Sequence, residues 1–528
     1  MVKDRNSNEI KYKKNPKYIN IYDINSNDNS FDINNNKERK SDRNNENFLL
    51  ENLDNEFPLK IEIHYKLDGK KNKIRIFGQK FVEKYVEEKD LFSLIINNEQ
   101  KKLCEFIETQ RKNKILVIYL ITQKSVTDLN YMFADCKEII YVKGLETLIN
   151  KNCTNVNNLF LNCSSLKIVN NTIIDWNTES ITDMSSTFRG CSSLKNLNGL
   201  SKWKTGKVNN MASMFYSCKN LKNLNLDKWN TQNTKYFSGM FYECKELKSF
   251  QNLSHFNLSK CVDLSLLFYG CQNMEETPNM KNWDVQNVKS MKGMFYECKK
   301  LKEIKGIENW TTKNLTDIGS LFYGCESLTS VSDIFSKWSL DKVTDISNLF
   351  LGCKNLDFSL FKFGKASLPE VEDMSGMFYG CENLEEIKGF FKANNIKDIS
   401  FLFYNCFNLK KLPEKLNFNT NNLTEVKGMF YNCKSLEKIP DISNWNFNQV
   451  KNMSFMFFGC EKIKEIPKKF NDENFIKDKD VRYFKHNCIN LKEETKFFRE
   501  IKNEGKEKKN FGKFRMANVV EKQHLIKT

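Results

Sequence analysis

The chain has 528 residues, more than one compact core usually holds, yet only 7 are Pro and 21 are Gly. Pro/Gly-rich linkers are therefore scarce, which argues against a string of separate globules and for an extended array. Lys and Arg outnumber Asp and Glu by 83 to 66, a net charge of +17; so mild and interspersed an excess serves solubility, and it would also draw in an acidic partner such as nucleic acid.

Met1 to Arg5 lead into no apolar h-region, so no secretory signal is expected. No stretch is apolar for long enough to predict a spanning helix. Neither a myristoylation nor a prenylation motif stands out. These readings predict a cytoplasmic protein without membrane insertion.

Residues 1–56 are mostly Asn, Asp, Lys, Ser and Arg. Such a segment cannot bury enough apolar surface to offset its ordering entropy, and is expected to be a disordered polar tail. Over 57–122 the pattern changes. Leu59, Ile61, Ile63 and Tyr65 alternate with polar neighbours, Asp68-Gly69 marks a turn, and Ile74 and Ile76 resume the alternation. Leu91 to Ile96 and Ile115 to Ile121 are further strand candidates. The expectation is a small β-rich module that caps the first edge of whatever follows.

From 123 to 491 the sequence repeats. Aligned on cysteine, the units end at Cys136, Cys163, Cys191, Cys218, Cys244, Cys271, Cys298, Cys325, Cys353, Cys381, Cys406, Cys433, Cys460 and Cys488, about 27 residues apart. Phe stands three residues before the cysteine in every unit but the last, which has Lys485 there. Leu, Ile or Met stands three after. Trp176, Trp203, Trp229, Trp283, Trp310, Trp338 and Trp445 each lie fifteen before the next repeat cysteine. That Trp-to-Cys stretch keeps its length, so it reads as the rigid part of each unit; length varies mainly between the cysteine and the next Trp, as in a surface loop.

In the unit ending at Cys191, Met184, Thr187, Phe188 and Cys191 fall on one face of a short helix. Thr182 or Asp183 could cap it. Apolar pairs such as Leu194 and Leu197, or Leu301 and Ile304, then predict a short strand. The expected fold class is α/β: a leucine-rich-repeat-like solenoid of about fourteen coils, one short helix and one short parallel strand per coil. The cysteines fall at apolar repeat positions with no C-x-x-C, and stacked thiols would point in parallel. They read as small buried apolar side chains in a reducing compartment, with no metal or cofactor expected.

The units Val288-Lys289-Ser290-Met291-Lys292-Gly293-Met294-Phe295-Tyr296-Glu297-Cys298 and Val371-Glu372-Asp373-Met374-Ser375-Gly376-Met377-Phe378-Tyr379-Gly380-Cys381 resemble the BspA-like leucine-rich-repeat proteins. Their Met-Phe-x-x-Cys-x-x-Leu core is similar to the mycoplasma-lipoprotein-type repeat of that group, as is Trp176-Asn177-Thr178. The resemblance covers about 123–491. It implies a solenoid used for adhesion or protein–protein contact, without catalysis, and it allows a cell-surface location.

Catalytic signatures are not evident. His64, His255, His486 and His524 occupy no repeated position and accompany no metal motif. Gly199 to Lys207 and Gly505 to Lys513 mimic a phosphate loop but have the wrong spacing. Two stripes remain as a candidate interaction surface. Lys167, Lys195, Lys222, Lys248 and Lys302 each follow the Leu three after the cysteine, with Glu275, Glu385 and Glu437 interrupting the row. Such a row could meet an acidic protein face or a nucleic-acid backbone, or simply solvate the sheet. Tyr216, Tyr242, Tyr269, Tyr296, Tyr323, Tyr379, Tyr404 and Tyr431 stand two before the cysteine. They could form contact area for a partner, or stack between coils with their hydroxyls outward. Residues 492–528, rich in Lys among Glu, read as a C-terminal cap and basic tail. The sequence thus predicts a non-catalytic scaffold for protein partners, with a binder of nucleic acid or acidic polymer, or a cell-surface adhesin, as the alternatives.

Overall fold

Alternating apolar residues place a strand at β1 (Leu59–Lys66), with Ile61, Ile63 and Tyr65 buried on one side. A computed structural model describes residues 59–491 except 89–90, 110–113, 123, 168–172, 251–252, 332–333 and 364–365. The expectations for the tail over 1–56 and the cap over 492–528 lie outside the described residues.

After β1 come β2 (Lys73–Arg75), helix α1 (Gln79–Tyr85), β3 (Phe92–Ile96), β4 (Glu99–Lys102), β5 (Phe106–Glu108), β6 (Ile115–Thr122) and β7 (Ile139–Lys143). An antiparallel sheet runs β4-β3-β6-β1-β7, and β2 pairs with β5 separately. β7 lies just after Cys136 and so belongs to the first coil. The sheet therefore runs into the array: Lys167 N–H donates to the Ile140 carbonyl at 3.2 Å. The segment before α1 closes the coil's other side. Phe77 stacks on Phe133 at 5.6 Å, Gly78 N–H donates to the Met132 carbonyl at 2.9 Å, and Tyr85 OH donates to the Asp128 carbonyl at 2.7 Å. A Cβ on Gly78 would stand 2.0 Å from the Tyr131 carbonyl oxygen, so this close approach requires glycine. An exposed ladder edge at the first coil is covered in this way.

The coils then stack in parallel. A bridge joins the residue eight before each repeat cysteine to its counterpart in the next coil, from Asp128 and Asn155 through to Asn452 and Asp480. At the usual spacing of about 4.8 Å per parallel neighbour, fourteen coils span roughly 65 Å.

The expected helix before each cysteine does not form. The chain makes successive tight turns there, with positive φ five residues and one residue before every repeat cysteine, between +52° and +77°. In the unit of Cys298, Gly293 and Glu297 take those places. Alternate amides leave the coil: Met291, Gly293, Phe295 and Glu297 N–H donate to the carbonyls of Asp317, Gly319, Leu321 and Tyr323 at 2.6–3.0 Å. The amides between them turn back, with Met294, Tyr296 and Cys298 donating to Met291, Gly293 and Phe295. A helix would spend all its amides on itself; these turns satisfy every amide and still bond half of them to the neighbour. The side chains at Met291, Met294, Phe295 and Cys298 all point inward, so turns reproduce the burial pattern that resembled a helical face. Helical turns sit elsewhere, just ahead of Trp, at Ile173–Asp175, Leu200–Lys202, Ile307–Asn309 and Ile334–Lys337. Beyond the first coil, where β7 follows Cys136, the strand expected after the cysteine is reduced to residue pairs, Asn196–Leu197 beside Asn223–Leu224, or to single bridges such as Glu276 to Glu303.

Columns of like residues hold the stack. From Phe133 to Phe457 the rings lie face to face at 5.4–6.0 Å. The Trp indoles of 203, 229, 283, 310 and 338 donate to carbonyls of the preceding coil at 2.7–3.1 Å. From Cys163 to Cys488 each repeat sulfur lies 2.9–3.2 Å from the carbonyl of the preceding coil's Phe. The thiol is small enough for the seam and can donate weakly to that buried oxygen.

Candidate interaction surface

The lysine row is held by backbone bonds between coils. Lys222 N–H donates to the Lys195 carbonyl at 2.9 Å, and Lys302 N–H to the Glu275 carbonyl at 3.1 Å. One side chain per coil therefore faces out at a fixed register, and Lys167, Lys195, Lys222, Lys248 and Lys302 are all exposed. The acids divide the row. Lys302 pairs with Glu275 at 3.0 Å and Lys410 with Glu385 at 2.8 Å. Among the described residues no carboxylate pairs with Lys167, Lys195, Lys222 or Lys248, so the N-terminal third of the row stays positive.

The tyrosines form two stacks. Tyr216, Tyr242, Tyr269, Tyr296 and Tyr323 lie ring on ring at 4.0–4.3 Å. Leu351 interrupts, and Tyr379, Tyr404 and Tyr431 resume at 4.2–4.5 Å before Phe458. Arg189 covers the outer face of Tyr216 at 4.3 Å. The rings are half-buried, and Tyr323 is only 9% exposed. Burial pushes Tyr242 up to about 12 and Tyr216, Tyr269 and Tyr296 upward too. Their faces are thus spent on each other, the stacking between coils that was the second of the two readings of this register. Edges and uncharged hydroxyls are what a partner could meet.

Sequence reasoning missed two registers. The first is an acidic column eight before the cysteine, where Asp317, Asp345, Asp373 and Asp398 follow one another on consecutive coils. Each Oδ1 accepts the amide two residues on, at 2.7–2.9 Å. Lys292 reaches Asp345 at 3.0 Å and Asp317 at 3.7 Å. Burial raises Asp317, and burial with the neighbouring carboxylates pushes Asp373 up to about 6. The alternation of Asp and Asn with a Ser two residues later signals the turn. The second is a basic edge nine to twelve before the cysteine, bearing Lys207, Lys235, Lys260, Lys289 and Lys313. It escapes notice because no single register carries all five. Among the described residues no group of three or more His, Cys, Asp or Glu could hold a metal ion.

The architecture is that of a repeat solenoid whose seam is aromatic, thiol and aliphatic and whose outer registers are polar. The chain belongs to the family described as Mycoplasma protein of unknown function, DUF285, whose model matches residues 127–250, 154–279, 237–363, 329–417 and 372–496. No curated protein matches it. Among solved structures it is similar to a leucine-rich cell surface protein from Faecalibacterium prausnitzii A2-165, at 16% identity over 61% of this chain and 85% of that one, with a TM-score of 0.27. A TLR13–ssRNA13 complex aligns at 17% identity over 61% of this chain and 51% of the other, TM-score 0.15. The plant peptide hormone receptor RGFR1 in complex with RGF2 aligns at 14% over 62% and 57%, TM-score 0.17. No helix of the described residues is long and apolar enough to cross a membrane.

Proposed function

We propose that this protein is a non-catalytic interaction scaffold of the BspA-like leucine-rich-repeat type, which binds acidic faces of partner proteins inside the cell. The row Lys167, Lys195, Lys222 and Lys248 carries the reading: one exposed ammonium per coil, with the Lys167 and Lys222 amides bonded to the preceding coil, and without a carboxylate partner among the described residues. A rigid line of like charge steers an oppositely charged surface and sets its register. The side chains that could do chemistry are engaged otherwise: the repeat thiols sit in the seam and the tyrosines against one another. Buried free thiols fit a reducing compartment.

The test is quantitative co-purification from the source cells, full chain against Lys195→Glu/Lys222→Glu/Lys248→Glu. Selective loss of defined partners is the expected result. An identical set of partners at identical yield would overturn the reading. Biotinylation of intact cells checks the compartment, since labelled protein would place the scaffold outside.

A further inference from the structure

The basic edge is separate from the lysine row and has a different character. On the five coils that end at Cys218, Cys244, Cys271, Cys298 and Cys325, the residues nine, eleven and twelve before the cysteine include Lys207, Lys235, Lys260, Lys289 and Lys313 and no acid. All five lysines are exposed, and among the described residues none pairs with a carboxylate. They follow the stack for about 19 Å at one parallel spacing per coil. The middle of this edge is concave: Lys235, Lys260, Lys289, Asn287 and Asn314 line a shallow open groove of about 630 Å³ with Tyr236.

Tyr236 distinguishes this groove from a merely solvated basic edge. It is 44% exposed, one of three large apolar side chains so exposed among the described residues. It stands in the column that elsewhere carries Asp, Asn, Ser290 or Glu425 and no other aromatic residue, bridged to Asn210 and Asp263. Among the described residues no ring stacks on it, whereas Tyr242 and Tyr269 have rings on both faces. Asn287 and Asn314 each donate one amide N–H to a carbonyl of the preceding coil, that of Ser259 and that of Gln286. The groove's charged groups are the ammonium groups of Lys235, Lys260 and Lys289, which are point charges without planar geometry. Nearby, Asp263 Oδ1 is occupied by the Ser265 amide.

We propose that this groove binds single-stranded nucleic acid, with phosphates along Lys235, Lys260 and Lys289 and one base stacked on Tyr236. Ammonium groups following a backbone beside an uncovered aromatic face are the means by which strands are held without reading sequence. An acidic peptide would use the lysines but gain little from an open ring, which is why the strand is favoured. This site is independent of the scaffold reading, which rests on the other row.

The test uses the full chain and fluorescein-labelled fifteen-nucleotide oligo(dT) and oligo(U), followed by fluorescence anisotropy. Both should bind, and similar affinities would mean that the 2′-hydroxyl is not read; tighter oligo(U) would assign the site to RNA. With three phosphates neutralised, log affinity should fall with log salt at a slope of about −2. Lys235→Glu/Lys260→Glu/Lys289→Glu should weaken binding at least tenfold and flatten the slope. Tyr236→Ala should cost about fivefold or more. Lys195→Glu/Lys222→Glu/Lys248→Glu should leave the dependence on Tyr236 intact. All changes are at exposed side chains, and unchanged thermal unfolding confirms that the variants are folded. Absence of binding, or binding insensitive to both groove variants, overturns the proposal. So does displacement by poly-glutamate as effective as by unlabelled oligo(dT) together with no effect of Tyr236→Ala, which would assign the groove to acidic peptides.

Discussion

Replacing Asp373 by Asn should stabilise the solenoid at neutral pH. Asp373 lies between Asp345 and Asp398 in the acidic column, and its carboxyl is pushed up to about 6, first by burial and then by those two neighbours. Against an unfolded value near 3.9 that is about two units, or at most about 3 kcal/mol at 1.36 kcal/mol per unit. Partial solvation reduces the expected gain to about 1–2 kcal/mol. The folded state holds a proton that the unfolded chain releases between about pH 4 and 6, so this site's stability is greatest in acid and falls as pH rises through 6. Asn keeps the Oδ1 that accepts the Ser375 amide at 2.8 Å; Asn155, Asn210 and Asn452 already do so in their coils. Thermal unfolding of Asp373→Asn should rise by about 2–4 °C at pH 7.5. The gain should shrink to about a third by pH 4.5 and vanish below about pH 3.5. Asp183→Asn is the control, because Asp183 stands between Asn155 and Asn210 and has no carboxylate above or below it. A variant no more stable at pH 7.5, or equally stabilised at both pH values, would refute the reasoning.

Trp310→Phe keeps the ring and deletes the indole N–H that bonds the Met280 carbonyl at 3.1 Å; denaturant titration should show a loss of about 1–2 kcal/mol. Tyr296→Ala removes ring contacts to Tyr269 and Tyr323 at 4.3 and 4.1 Å and should cost about 2–4 kcal/mol in the same assay. Leu351→Tyr should join the two tyrosine stacks and stabilise by about 1 kcal/mol; a lower unfolding midpoint would show that the gap does not accept a ring. Iodoacetamide at pH 8 should modify Cys104 first and Cys488 slowly, since Cys104 is half-buried and burial pushes Cys488 up to about 12. The fully buried thiols should react only on unfolding, when mass spectrometry counts all 17.

The period, the seam and the direction of burial could be read in the sequence because each repeated residue reports its own solvent exposure. Phe, Cys, Leu and Trp recur where water is excluded, and a chain that repeats them must stack. Backbone conformation was harder to read. Inward positions at i, i+3, i+4 and i+7 fit a helix and fit these turns equally, and the deciding signal was the Gly and Asn before the cysteine, as at Gly190, Gly324, Asn405 and Asn432, which mark positive φ. The basic edge was hidden for another reason. Lys207, Lys260 and Lys313 stand at different distances along the repeat from Lys235 and Lys289, and only the folded coil shows that they share an edge.

What the sequence determined by itself was therefore which side chains are glue and how often they return. The tertiary structure alone decided what the remaining surface offers. Stacking covers the faces of Tyr216 to Tyr323 and leaves the ring of Tyr236 open, although both are tyrosines at repeat positions. The difference arises because a residue's availability depends on its counterpart one coil away, distant along the chain and in contact in space.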